Sequence, residues 1–327
     1  MRKMGYAIAI VFMLLVVVLV GTWILLARPA LKPGGVVAEA VVKADPARLK
    51  RHVEKISLSF FPRSYAMVEN LNGVADYIAS RFDAAGAKVR HQVFSAAGNA
   101  YRNVIAEFGP DSDAVIVVGA HYDSAGDLPA ADDNASGVAG LLELARLLGE
   151  TQPDVKIMLV GFCLEEEPFF YTAQRGSAVF AKSLAEKHKR VKIMISLEMI
   201  GYFSDEAGSQ DYPIGLLKLF YPDKGNFIAV VDRIFGGSAR QIKKIMRAHS
   251  GIPVCSINAP SSMPGIDRSD HKSFWDLGYP AVMITDTAFY RNKAYHTAAD
   301  TADRLDYARM AQVVDGVFAC VSAMGRR

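Results

Sequence analysis

A succession of short apolar runs, each followed by a segment of helical period, constrains the fold of this chain more than any other feature of its sequence. Residues 114–120, 155–162, 192–199 and 281–285 are rich in aliphatic and β-branched side chains and nearly free of charge. Such runs are strands buried on both faces, since a strand with one wet face would alternate apolar and polar residues. Helical patterns at 135–148, 177–187 and 238–250 separate them, with others at 68–85 and from Tyr307 onward. Further strands are expected at 88–94, 104–108, 227–231 and 254–257, and Asp45-Pro46 offers a cap with proline at the first helical position. The expected fold is α/β, a mostly parallel central sheet with helices on both faces.

One segment stands apart. Residues 4–27 form an apolar run without a charged side chain. At 1.5 Å per residue it reaches roughly 36 Å, enough for a hydrocarbon layer of about 30 Å. Arg2 and Lys3 precede it and Arg28 and Lys32 follow, a modest bias toward an inward N-terminus and an outward body. A cleaved signal peptide is the competing reading, but its apolar region is typically about 7 to 15 residues, and Leu26-Ala27-Arg28-Pro29 is a poor cleavage site. The expected organisation is a cytoplasmic tip at 1–3, a transmembrane anchor at 4–27, a Pro- and Gly-containing linker at 28–44, and one domain at 45–327. This places a single-pass protein in the membrane with its folded domain extracytoplasmic, in the periplasm or outside the cell.

Composition narrows the function classes. Of the 327 residues 51% are hydrophobic, which excludes a disordered chain. A net charge of +3, from 37 basic and 34 acidic residues without a dense basic run, argues against nucleic acid as a partner. Three separated cysteines, Cys163, Cys255 and Cys320, make neither a disulfide framework nor a thiolate zinc site. His52, His91, His188 and His249 lie beside Lys or Arg and read as solvated.

In sheets of this kind ligands bind beyond the carboxyl ends of the strands. His121-Tyr122-Asp123 follows one strand, Asp132-Asp133-Asn134 opens the next helix, Glu165-Glu166-Glu167 follows a second strand, Glu198 a third, and Tyr295-His296-Thr297 comes after the last. Any one of these is ordinarily a cap or a wet turn. Together they bring His, Asp, Glu, Glu and His from five segments to one rim, where unpaired carboxylates repel and are costly to desolvate. A divalent cation removes that cost. Mixed imidazole and carboxylate donors suit zinc, and a bridging carboxylate accommodates a second ion. Neighbours at a strand end point different ways, so one of Glu165 and Glu166 can coordinate while the other faces a water. Asp123, two residues after His121, is placed to accept the second imidazole N–H.

Five motifs, Gly119-Ala120-His121-Tyr122-Asp123-Ser124, Ala131-Asp132-Asp133-Asn134-Ala135-Ser136-Gly137, Phe162 followed by Glu165-Glu166, Glu198-Met199-Ile200-Gly201 and Tyr295-His296-Thr297, resemble those of the zinc-dependent M28 peptidases. The resemblance covers residues 101–306. It implies an aminopeptidase acting on peptides with a free N-terminus, with two zinc ions held by His121, Asp132, Glu166, Glu198 and His296. Asp132 would bridge, Glu165 would be the general acid and base, and Tyr295 would donate to the oxyanion. The family more often has aspartate where Glu198 stands, which bears on the second ion. The Glu165-Glu166-Glu167 run also allows a slip of one, and the spacing from Phe162 selects Glu165. Asp270-His271 resembles a polar element near the family's site. The alternatives are a single-zinc glutaminyl cyclase and a non-catalytic membrane-anchored binding protein on the same scaffold.

Overall fold

The computed structural model describes residues 2–27 and 42–325, so most of the expected linker at 28–44 lies outside the described residues. Helix α1 (Arg2–Ala27) is the apolar run. Its segment Ile10–Ala27 is long and apolar enough to cross a membrane and is almost wholly exposed. The carbonyl of Ala27, which has no partner within the helix, accepts from Lys243 Nζ and, at 2.9 Å, from Ser256 Oγ.

The folded body opens with α2 (Pro46–Glu54), where the Asp45 carboxylate accepts from the Ala47 N–H at 2.8 Å. It continues through α3 (Val68–Ala84), β1 (Lys88–Ala96), β2 (Asn99–Phe108), β3 (Ala114–His121), α4 (Gly137–Thr151), β4 (Lys156–Phe162), α5 (Gly176–Glu186) and β5 (Arg190–Leu197). The remainder is β6 (Ile228–Arg233), α6 (Ser238–His249), β7 (Val254–Ala259), α7 (His271–Trp275), β8 (Ala281–Thr285) and α8 (Tyr307–Gly325).

Eight strands form one mixed sheet in the order β1-β2-β4-β3-β5-β8-β6-β7. Its centre, β4-β3-β5-β8, is parallel throughout. Among the described residues antiparallel pairing is confined to β1 with β2, β2 with β4, and β6 with β8. Alternate residues of the central strands bury opposite faces. Ile116, Val118, Ile157, Leu159, Ile193 and Ile195 join the core under α2, α3, α4, α6 and α8. Val115, Val117, Met158, Val160 and Met194 join a second core under α5 and α7. Burial on both sides explains why these strands read as unbroken apolar runs. Four adjacent parallel strands therefore end on one rim, and the residues just beyond them are brought together.

Candidate metal centre

Each functional side chain is carried just past a strand. His121 is the last residue of β3, Glu198 directly follows β5, and Glu165 and Glu166 lie three and four residues beyond β4. Asp133 sits in the turn between β3 and α4, and His296 in the loop after β8. The backbone around them is held in conformations that side chains avoid. Among the described residues Leu164, Met199 and His296 have φ of 63°, 48° and 53°, each costing about 1 kcal/mol and retained where surrounding structure fixes it.

The side chains converge. His121 Nε2 is 3.3 Å from Asp133 Oδ1 and 3.5 Å from Glu198 Oε2. His296 Nε2 is 3.1 Å from Asp133 Oδ2 and 3.5 Å from Glu166 Oε1. Two donors each about 2.1 Å from one tetrahedral ion stand about 3.4 Å apart, so these separations match the edges of a zinc-sized coordination shell. The triads His121, Asp133, Glu198 and Asp133, Glu166, His296 could each hold a metal, as could His121, Glu165, Glu166. Asp133 offers one oxygen to each histidine. Both nitrogens of His121 and Oε1 of Glu166 are buried without a hydrogen-bond partner among the described residues. Buried polar atoms are rarely left so, and the donor set fits a divalent cation.

The protonation equilibria agree. Burial alone would lower His121, but Glu198, Asp123 and Asp133 outweigh it and raise the imidazole well above its ordinary value. For His296 burial is likewise overcome, by Asp133 and Glu166, and the pKa rises to about 10. Burial and the neighbouring Asp133 push Glu166 up to about 7, and burial foremost raises Glu198. Protons here do the neutralising that a cation would do.

Asp123 ties two segments of the site. Its Oδ1 lies 3.5 Å from His121 Nδ1, and its two oxygens accept from the backbone N–H groups of Glu165 and Glu166 at 3.1 and 3.0 Å. Ser269 donates to Glu198 Oε2 at 2.6 Å. Tyr295 stacks on His296 with ring centroids 3.8 Å apart. Asp270 is buried beside Arg175, and His271 turns Nε2 to the Ile266 carbonyl at 2.8 Å. Cys163 is buried, and burial raises its thiol well above the usual range.

The structure does not bring Asp132 into the cluster. Its carboxylate accepts from the Gly201 N–H at 3.0 Å and from Asn292 Nδ2 at 2.9 Å, while its neighbour Asp133 takes the place between the histidines. Successive residues of this irregular turn point opposite ways. The alternation that separates Glu165 from Glu166 applies equally to the aspartate pair and was the available signal. Asn134 fixes the turn: Nδ2 donates to the Leu197 carbonyl at 2.8 Å, and Oδ1 accepts from Gly137 and Met199 N–H at 3.0 and 3.1 Å. A Cβ at Gly137 would stand 2.3 Å from that Oδ1, so only glycine lets the amide seat. Arg175, which contacts Glu165, gave no sequence signal.

Beside the cluster opens an apolar cavity lined by Tyr212, Leu217, Phe227, Met283 and Phe289 together with Glu198 and Tyr295. A closed imidazole and carboxylate cluster on the strand ends of an α/β sheet defines the metallohydrolase class. The model of peptidase family M28 matches residues 103–321, and the chain belongs to that family of metallopeptidases. The uncharacterized protein YfbL of Escherichia coli is 49% identical over 283 residues, 84% of this chain and 87% of that one. Leucine aminopeptidase 1 of Metarhizium robertsii is 26% identical over 284 residues, 82% and 67% of the two chains. Among solved structures, a zinc aminopeptidase from Bacillus subtilis shares the fold with a TM-score of 0.65 at 17% identity, over 85% of this chain and 94% of its own.

Proposed function

We propose that this chain is a zinc-dependent aminopeptidase with two zinc sites, one held by His121, Asp133 and Glu198 and the other by Asp133, Glu166 and His296. The observation that carries the reading is the spacing of the two histidines from the carboxylates, with Asp133 presenting one oxygen to each. Asp133 here takes the bridging place expected of Asp132. Zinc bound there supplies a Lewis acid that polarises the scissile carbonyl and acidifies a water.

The chain's own residues do the rest. Glu165, held at the rim between Arg175 and the cluster, accepts a proton from the attacking water and returns it to the leaving amine. Asp123 orients His121 and, through its two backbone contacts, keeps Glu165 and Glu166 in register. Tyr295, at the cavity wall and stacked on His296, donates to the developing oxyanion. The apolar cavity receives the side chain of the N-terminal residue, and a carboxylate-rich rim suits its free ammonium group. Residues 4–27 anchor the chain in the membrane, and the domain that begins at residue 45 is extracytoplasmic and catalytic.

The test uses the full chain in detergent with aminoacyl 4-nitroanilides and, in parallel, peptides with N-terminal glutamine. Nitroaniline release is expected. Glu165→Gln should lower kcat by about 10²–10⁴ while zinc content stays at the parent value. Ammonia loss from glutamine peptides without nitroaniline release would identify a cyclase, and Glu165→Gln at full activity would reject the assigned base.

A further inference from the structure

Glu165 and Glu166 are adjacent, both nearly buried, and both within reach of His121, whose nitrogen lies with one oxygen of each inside a 4.8 Å group. Their backbones are fixed alike, each N–H on an oxygen of Asp123. Nothing in the pair itself says which should ligate. The difference lies in what meets the side chains: Glu166 faces His296, and Glu165 receives a hydrogen bond from Arg175 Nη2.

Arg175 is itself enclosed, its Nε making an ion pair but no hydrogen bond among the described residues. It is 1% exposed, its guanidinium lies 5.1 Å above the Phe170 ring, and Nε is 3.6 Å from Asp270 Oδ1. Asp270 is fully buried, and among the described residues neither of its oxygens has a hydrogen-bond partner. Its charge therefore acts on Arg175 alone of the cations within ion-pair distance. Gly176 places this arginine. Its N–H donates to the Cys163 carbonyl at 2.8 Å, and a Cβ there would stand 2.3 Å from that oxygen, so the chain can pass close behind the two glutamates only as glycine.

We propose that Arg175 is the positioning residue that sets the division of labour in this pair, engaging Glu165 so that it stays off the metal and handles the proton while Glu166 ligates. The proposal rests on the aminopeptidase reading above. Arginine suits the task because its charge survives burial and its rigid fork fixes a carboxylate in direction as well as distance. Asp270 keeps the fork from following Glu165 toward the cation. Without Arg175, Glu165 becomes an extra ligand: metal is kept and the base is lost.

The experiment compares Arg175→Met, Arg175→Lys and the double variant Arg175→Met with Glu165→Ala in the full chain, loaded with zinc for kinetics and with cobalt for visible spectra. The substrate is phenylalanine 4-nitroanilide. Arg175→Met should keep parent zinc content and a KM within about threefold, lose at least about 10-fold in kcat, and show weaker cobalt absorption as the coordination number rises. Arg175→Lys should recover part of kcat, and the double variant should regain the parent spectrum. Parent kcat in Arg175→Met overturns the proposal, and so does low kcat with an unchanged cobalt spectrum, which marks a structural role. If Arg175→Met does not fold, Arg175→Lys decides by the same two readouts, a parent kcat and spectrum overturning the proposal. Glu165→Gln alone separates the premises: full activity there rejects the underlying reading, whereas an inactive Glu165→Gln beside a fully active Arg175→Met rejects only the role given to Arg175.

Discussion

The two ends of the central sheet resolve buried charge in opposite ways. At the end opposite the cluster, Glu107 of β2 accepts from Arg90 Nε and Lys156 Nζ, both at 2.7 Å, Lys156 also meets Asp111 at 2.8 Å, and Lys189 meets Asp113 at 2.9 Å. Burial would raise Glu107, but the Arg90 and Lys156 contacts pull it below its ordinary value. Glu107, the covered acid there, has two bases supplied by the same chain, and the exposed Asp111 and Asp113 have one each. At the rim Asp133, Glu166 and Glu198 surround two histidines that are not permanent cations, and buried donor atoms remain unpaired. A chain able to match charges at one end and leaving them unmatched at the other has reserved the second for a cation from outside.

The largest way to break this contrast is at the aspartate pair. Asp133→Asn removes the charge shared by both histidines and should cost more than the roughly 10–100-fold in metal affinity typical of partners one shell further out, read by zinc titration and loss of turnover. Asp132→Asn should do far less. Its carboxylate meets the Gly201 N–H and Asn292 Nδ2 and neither histidine, so the substitution leaves the metal-facing donors in place. Equal losses in both variants would restore Asp132 as the bridge.

An intermediate effect is expected at the other end. Lys156→Met takes one of two basic partners from Glu107 and should destabilise the fold by about 1–2 kcal/mol in denaturant titration, with zinc content and kcat within about twofold of the parent. A fall in metal content would show that the two ends are not independent.

The smallest effect concerns a third solution, in which the group gives up its charge. His52, expected as solvated, is partly covered and its Nδ1 lies 2.7 Å from the Tyr77 hydroxyl. Burial first, then Arg48, Arg81 and Arg51, lowers its pKa from 6.5 to about 4. Between those values the unfolded chain binds a proton that the folded chain refuses, so stability declines as pH falls through this window and the decline ends near pH 4. His52→Gln should flatten that limb of the unfolding midpoint against pH. An unchanged slope would assign it to other groups.

How much of this was readable follows from how local each determinant is. The strand at residues 155–162 announced itself as Lys156–Phe162, buried at every position, because burial on two faces is written in composition. His121 and Glu198 could be placed because each touches a strand end. The antiparallel pairing of β6 with β8 could not, since partners more than 50 residues apart choose one another through tertiary packing. Asp132 and Asp133 were separable only by the direction of a turn that Asn134 and Gly137 impose. Arg175 stayed hidden because the loop that brings it back to Glu165 has no periodicity.

The Asn134 amide has a consequence for evolution at this rim. One side chain staples the turn bearing Asp133 to the backbone on both sides of Glu198, at the Leu197 carbonyl and the Met199 amide. The anchorages of these two acids are thus one rigid part and not two adjustable ones. Reach at the second acid can then be altered only by lengthening or shortening the side chain, which is the difference between glutamate and aspartate at position 198.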